Sequence, residues 1–337
     1  MRNAAWPAAA ALLSAAMLAA GQAAPDTGQT GAAALLLPVS ARPVALAESC
    51  VAAEGGTDSL GYNPAGLAGL GGIECSALYY PGFAGDTFVG LLVGKPLESG
   101  PPGTEPCAAV SVAYYTTGSV EKVESTGRIS EVTGERDLVA AGGLGARVPG
   151  MPVTVGAGAK LIYTSLIEDV SGVAVAGDLG VTAAPPAIPV SFGASLQNAG
   201  KEMKLGSASD PLPMRVRLGA MWKLRLEGGE VLERIGRGPR GEDPGAPAPA
   251  FTEVRSYAEC DIRPFDDGVA WAGGVEVLFA STFALRGGYT RLARGGWGAR
   301  HAVTGGLGVR LGVTRVDYAF EALEYVSTHR FGIGVAL

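Results

Sequence analysis

The chain is predicted to be an all-β protein, a transmembrane antiparallel β-barrel of about fourteen strands with a short N-terminal plug. Three observations lead there. The chain opens on a small-residue, apolar leader. No later run is apolar enough to cross a membrane as a helix. From residue 74 onward, apolar side chains alternate with polar or small ones at a period of two.

The leader has a basic residue, Arg2, then a stretch over 8–20 that is apolar or small apart from Ser14. Gly21-Gln22-Ala23 follow, small residues of the kind a signal peptidase reads, so 1–23 is predicted to be a signal peptide and the protein to be exported. After it, the longest apolar run, 32–39, is broken by Pro38 and falls far short of the ~18 residues a membrane helix needs. A chain that still crosses a bilayer must then do so as a closed barrel, because only there are all backbone polar groups paired.

Composition agrees. Glycine accounts for 52 of the 337 residues, while aromatics are only 7%. That mixture suits a backbone approached closely by other backbone better than a thick aromatic core. The net charge of −6 gives no basic surface for nucleic acid, which is not expected as a partner. Cys50, Cys75, Cys107 and Cys260 are widely spaced and form no metal pattern. They admit one or two disulfides, or equally a set of small buried thiols.

Fourteen strand segments follow from the alternation: 74–81, 86–95, 106–117, 137–148, 152–165, 170–184, 187–198, 213–225, 251–262, 268–279, 283–293, 301–311, 314–324 and 328–337. Many exceed the ~5–6 residues usual in soluble sheets and approach what a tilted membrane strand requires. A soluble β-sandwich would have shorter strands and bulkier inward residues than these glycine and alanine faces supply. Tight connections at 149–151, 184–186, 280–282 and 312–313 all fall on one side of the sheet, as the short periplasmic turns of outer-membrane barrels do. The charged stretch 119–137 and the stretch 199–212 fall on the other side as loops. The long Pro/Gly-rich insertion 227–250 falls, against that pattern, on the tight-turn side.

Charges inside the strands identify the inner face. Around the turn at 280–282, the register that matches Phe279 with Phe283 and Val277 with Leu285 also sets Glu276 opposite Arg286. Around Gly312-Val313, Val309 meets Val316 and Leu307 meets Tyr318, leaving Arg310, Arg315 and Asp317 on the other face. Arg215 and Arg217 alternate in the same way with Val216 and Leu218. Charges facing lipid cost several kcal/mol near the bilayer centre, so all seven are predicted to face the lumen.

Two patches go beyond pattern. The stretch 38–70, PVSARPVALAESCVAAEGGTDSLGYNPAGLAGL, resembles the opening of the PorV/PorQ family of outer-membrane barrels, itself related to FadL-type hydrophobic-compound transporters. The matching elements are an acidic position, Asp58, and Asn63-Pro64-Ala65-Gly66-Leu67. The second patch is SLQNAGKEMKL followed by DPLPMRVRLG, where Asn198, Gly200, Pro211, Leu212, Pro213 and Gly219 match a family strand-loop-strand signature. The ending HRFGIGVAL is also similar. Departures occur at Ala47, where the family has Gly, and at Gly55-Gly56. The resemblance implies a plug, or hatch, over 24–73 with the Asn63-Pro64 turn inside the lumen, and a barrel over 74–337. An Asn-Pro pair suits such a fold-back, since Asn bonds its own backbone and Pro fixes the next φ.

His301 and His329 are the only histidines, and no nucleophile elbow, phosphate loop or zinc-protease helix occurs. No enzyme activity, cofactor or metal is therefore expected. The expected function is porin-like: passive transport of small hydrophobic molecules across the bacterial outer membrane, with membrane lipid and such a ligand as partners. The alternative implied by the resemblance is a docking or shuttle component for protein secretion of the type IX kind, with secretion-system proteins as partners. A purely structural barrel is the third reading. The mature protein should begin near Ala24, fractionate with outer membranes and run with heat-modifiable mobility on gels. Its recovery as freely soluble periplasmic protein would overturn the barrel assignment.

Overall fold

The computed structural model describes residues 30–82, 85–123, 127–167, 170–226, 252–266, 268–294 and 298–337. The expected leader 1–23 and the insertion 227–250 lie outside the described residues. The first strands are β1 (Glu74–Pro81), β2 (Thr87–Pro96), β3 (Cys107–Thr116), β4 (Ser119–Val123), β5 (Ile129–Thr133) and β6 (Glu135–Arg147). Next come β7 (Val153–Leu166), β8 (Ser171–Ala183), β9 (Val190–Gly200), β10 (Met203–Leu205), β11 (Ala208–Asp210) and β12 (Arg215–Leu226). The last six are β13 (Thr252–Arg263), β14 (Gly268–Phe279), β15 (Phe283–Arg294), β16 (Gly298–Leu311), β17 (Thr314–Ala322) and β18 (Ser327–Ala336).

Fourteen of these close an antiparallel barrel in sequence order, with β1 pairing β18 to complete the ring. They coincide with the fourteen expected segments to within three residues at either end. The remaining four form separate hairpins, β4–β5 and β10–β11, within the stretches expected as loops. In β4–β5, Val120 pairs Val132 while Glu121 pairs Glu131, so a charged exterior conceals two short strands in the sequence. The β10–β11 hairpin turns inward instead: Met203 is fully buried, and the Gly31 amide donates to the Pro211 carbonyl. No helix among the described residues is long and apolar enough to cross a membrane.

The outer face carries the large apolar side chains. Val173 and Val175 on β8 are exposed, while Ala174 and Ala176 between them are buried. Exposed aromatics collect toward both rims. Tyr79, Tyr114, Tyr163, Trp271, Tyr289 and Phe331 lie toward one end, and Phe192, Trp222, Phe279 and Phe283 lie near the tight-turn end. Two aromatic girdles around an aliphatic band are what the two membrane–water interfaces select. Both histidines stand on this outer face, each hydrogen-bonded to a tyrosine of the preceding strand, Tyr289 for His301 and Tyr318 for His329.

No disulfide forms; all four cysteines are free thiols. Cys75, Cys107 and Cys260 stand on β1, β3 and β13, none of which adjoin in the ring, so they lack the close approach a bridge needs. Cys50 packs among Leu46, Ala52, Tyr62 and Tyr257, whereas Cys107 packs among Leu60, Leu67 and Leu70. Burial pushes the Cys50 thiol up and keeps it neutral.

Residues 30–72 run through the barrel as short turns rather than a long helix. These are 3-10 turns at Ala33–Leu36, Thr57–Gly61 and Pro64–Gly69, with one brief α-helix at Ala41–Ala45. The inner wall meets them with glycine. Gly332 faces Ala41, Gly306 faces Ala45, Gly193 faces Val51, Gly180 faces Asn63, and Gly156 faces Pro64 and Ala65. A Cβ on Gly274 would stand 2.8 Å from the Leu46 carbonyl oxygen, and one on Gly288 2.7 Å from the Leu46 carbonyl carbon. The richness in glycine thus follows from backbone packed on backbone.

Gly274→Val and Gly288→Val should each destabilise the folded barrel by about 1–3 kcal/mol through overpacking and expose the 40–56 stretch to protease. Gly287→Val, whose Cβ would meet nothing nearer than 3.9 Å, should be tolerated. Denaturant titration with limited proteolysis reads both effects.

Candidate functional site

The site is the filled lumen, built from the residues that hold segment 30–72 against the wall. Arg42 is its centre. The Arg42 guanidinium donates through Nε to Glu276 Oε1 at 3.0 Å and through Nη2 to Glu276 Oε2 at 3.0 Å. It also donates to the Tyr257 hydroxyl at 3.1 Å and to Asp58 Oδ2 at 3.4 Å. Glu276 lies directly opposite Arg286 in the β14–β15 hairpin and accepts from its Nε at 2.7 Å. The alternation of charge then continues along the wall. Arg286 donates to Asp317 at 2.7 Å, Arg315 stands 2.7 Å from Asp317, and Arg315 stands 3.7 Å from Glu74 on β1. Glu276 is 1% exposed, so the pairing must repay a large desolvation cost. Arg310 pairs in register with Arg315 and is exposed at the tight-turn rim.

A second anchor lies on β12 and β13. Arg215 donates three hydrogen bonds to Asp261, the shortest at 2.8 Å, and stands 3.6 Å from Glu48. Arg217 pairs with Glu259 and donates to the Glu48 carbonyl, while Glu259 accepts from the Val51 amide at 2.9 Å. These contacts hold Ala47 and Glu48, both at positive φ, 53° and 60°. Ala47, the departure from the glycine of the resembling family, therefore occupies a backbone position that favours glycine.

The third anchor is the Asn63-Pro64 turn. Asn63 Oδ1 accepts from the Ala65 amide at 3.1 Å, and its Nδ2 donates to the carbonyls of Val51 at 2.7 Å and Val181 at 3.1 Å. Pro64 begins the 3-10 turn, where its missing N–H costs nothing. Ala65 and Leu67 are fully buried, and Gly66 accepts from the Gly55 amide at 2.9 Å. Wall side chains bond further backbone carbonyls of the segment. Ser195 donates to the Tyr62 carbonyl at 2.8 Å, Gln197 to Gly61 at 2.7 Å and Thr304 to Ala45 at 3.1 Å.

The strand-loop-strand residues form a hinge-like base for the 201–214 stretch. Asn198, at positive φ, lies where the β8–β9 ladder shifts register. Its amide donates to Asp178 at 2.8 Å, its Nδ2 donates to the Pro213 carbonyl at 2.9 Å, and its Oδ1 accepts from Lys160 at 2.7 Å. Gly200 leaves room for Leu212, which is 1% exposed, between Pro211 and Pro213. Gly219 makes room for the Val51 side chain.

Sequence reasoning missed Arg42, Tyr62, Asp178, Glu259 and Asp261. Arg42 and Glu48 are the only charges between residues 32 and 53, and a lone cation in a stretch bound for the interior must find a carboxylate. That was the available signal. No cluster of three or more His, Cys, Asp or Glu among the described residues is arranged to hold a metal. Several clefts remain around segment 30–72. One of about 50 Å³ lies beside Leu35, Leu37 and Val39. One of about 220 Å³ is bounded by Arg217, Glu259 and Glu321. Two of about 290 and 280 Å³ adjoin Arg42 and Arg255 toward the tight-turn end.

No family model matches the chain, and no curated relative does. Among solved structures, the toluene transporter TodX of Pseudomonas putida aligns over 86% of this chain and 96% of its own at 12% identity, with a TM-score of 0.52. A second structure of the P. putida toluene transporter TodX has the same coverage at 14% identity and a TM-score of 0.51. A Pseudomonas aeruginosa FadL homologue aligns over 88% and 98% at 8% identity, with a TM-score of 0.48. At such identities the likeness to the toluene transporter establishes the barrel fold and nothing finer.

Glu276→Ala and Arg286→Ala should be strongly non-additive, coupled by about 1–3 kcal/mol in a double-mutant cycle. Glu276→Ala should be the costlier, about 3–5 kcal/mol, because it strands Arg42 as well. Additivity in denaturant unfolding of the detergent-folded protein would show that the pair does not act as a unit.

Proposed function

We propose that the chain is an outer-membrane barrel that lets small hydrophobic molecules cross passively, with segment 24–73 as the plug that keeps the lumen from being an open pore. The observation that carries this reading is the filling of the lumen: residues 30–72 are anchored to its wall at three places. A barrel built for bulk water and ions would keep one wide polar passage. The apolar outer band and aromatic girdles support a membrane setting. The likeness to a toluene transporter supports an apolar cargo.

The patches that resemble the PorV/PorQ family have packing roles in this chain. Asn63-Pro64-Ala65-Gly66-Leu67 seats the segment on the wall, and Asn198 with Pro213 closes the base of a loop. They support a plugged barrel, and they add nothing specific to the docking of secreted proteins.

Deleting residues 40–70 should raise single-channel conductance in planar bilayers while heat-modifiable migration persists. The paired substitution Arg42→Ala with Asn63→Ala, which keeps the chain length, should raise it less. Toluene entry into proteoliposomes should depend on the intact protein. Unchanged conductance in a folded deletion variant would remove the plug role, and toluene entry no faster than through empty liposomes would remove the transport role.

A further inference from the structure

The barrel sorts its charges by sign. Every Asp and Glu on the fourteen barrel strands lies on the inner face, most of them buried and the others beside inward arginines or sharing a face with a buried carboxylate. Cations, in contrast, also occur on the outer face. Among the described side chains they are Lys95, near the tight-turn end of β2, and Arg136 and Arg291, near the opposite ends of β6 and β15. That opposite end is the exterior one in a barrel with short periplasmic turns. The outer face of a chain with net charge −6 thus shows cations without carboxylates, and more of them toward the exterior leaflet.

Arg291 is exposed and has no counter-charge among the described residues. It stands in register between Trp271 on β14 and His301 on β16, both exposed. It lies two residues, about 7 Å along the strand, beyond Tyr289 of the aromatic girdle. No Asp or Glu occurs in the sequence between Glu276 and Asp317, and both of those face the lumen. His301 is hydrogen-bonded through Nδ1 to the Tyr289 hydroxyl, which leaves Nε2 as its free ring nitrogen. A guanidinium, an imidazole nitrogen and an indole therefore share one accessible patch with no acid beside it. Such donors fit an anion with several acceptor oxygens, and a guanidinium meets phosphate through two parallel bonds. Along the same strands the patch runs into exposed Leu285, Val303 and Leu307, an apolar surface that an acyl chain covers and a free anion does not. We infer that Arg291 and His301, flanked by Trp271, hold the phosphate of a phosphate-bearing lipid in the exterior leaflet. The inference rests on the membrane setting of the barrel and is independent of transport.

The test uses the full chain folded in a nonionic detergent, with lipid binding followed by native mass spectrometry. The probes are diphosphoryl lipid A, the same lipid stripped of both phosphates, and inorganic phosphate as competitor. Arg291→Gln should weaken diphosphoryl lipid A roughly tenfold, the worth of one charge-assisted hydrogen bond, and leave the phosphate-free lipid unchanged. His301→Gln should weaken it by a smaller factor. Lys95→Gln, at the other end of the outer face, should bind as the unaltered protein does. All three positions are exposed, and heat-modifiable migration verifies that each variant is folded. Equal binding of the two lipids, no loss in Arg291→Gln, or an equal loss in Lys95→Gln would each overturn the inference. Displacement of the lipid by millimolar inorganic phosphate would overturn it too, by showing a site for free anions. Phosphate-selective lipid binding without toluene entry into proteoliposomes removes the transport reading and leaves this site standing. Toluene entry without phosphate-selective binding does the reverse.

Discussion

A closed ring of fourteen strands whose interior is filled by the chain's own N-terminal segment has to keep two backbones in contact over much of its inner surface. Most of the architecture follows from that requirement. Where the segment's carbonyls and Cα atoms press against the wall at Leu46, Val51 and Pro64, the wall residue is glycine, because a Cβ would occupy the same space. The large side chains are displaced to the other face, where they project away from the barrel. A typical soluble sheet protein buries its bulky residues between layers. Here the interior layer mixes paired charges with small apolar clusters, and many of the large apolar side chains lie outside.

Such an interior is unfavourable unless its polar groups are paired. The segment's turns pair many of its own backbone groups, but its irregular path leaves others to find partners outside it. The wall supplies them through Ser195, Gln197, Thr304 and Glu259. The buried charges follow the same logic. Glu276 and Asp317 each lie between arginines, and the run ends where Arg315 on β17 reaches Glu74. Buried ion pairs of this kind add little net stability over apolar packing, but they penalise any arrangement that separates them. They therefore set where the segment sits more than how strongly the barrel holds together. A few buried polar atoms are still left without a partner among the described residues, the Tyr62 and Thr164 hydroxyls among them.

The candidate site was partly legible in the sequence. The Glu276–Arg286 pair could be read from one hairpin, since the register that aligns Phe279 with Phe283 leaves only one partner for Glu276. The Asn63-Pro64 turn could be read from its residue types. Arg42 could not be matched to Glu276, because 234 positions separate them and no local pattern encodes that distance. The β4–β5 hairpin was hidden because its strands are five residues long and lie in a charged stretch. The disulfides left open by the four cysteines fail for a topological reason: the strands that carry three of them are not neighbours in the ring.

The sequence by itself determined the number of barrel strands, their approximate bounds and the alternation of side chains between their two faces. Period-two alternation is a local property, and a tight turn transmits register directly to the next strand. Only the tertiary structure decided what fills the barrel and what that filling leaves open. Closure brings β1 against β18 and lays residues 30–72 across most of the other strands. Those contacts join residues more than 200 positions apart, such as Ala41 and Gly332, and depend on the shape of the completed ring, which no short stretch of sequence contains. The pairing of Arg42 with Glu276, the positive φ at Ala47 and the unpartnered hydroxyl of Tyr62 all belong to that second class.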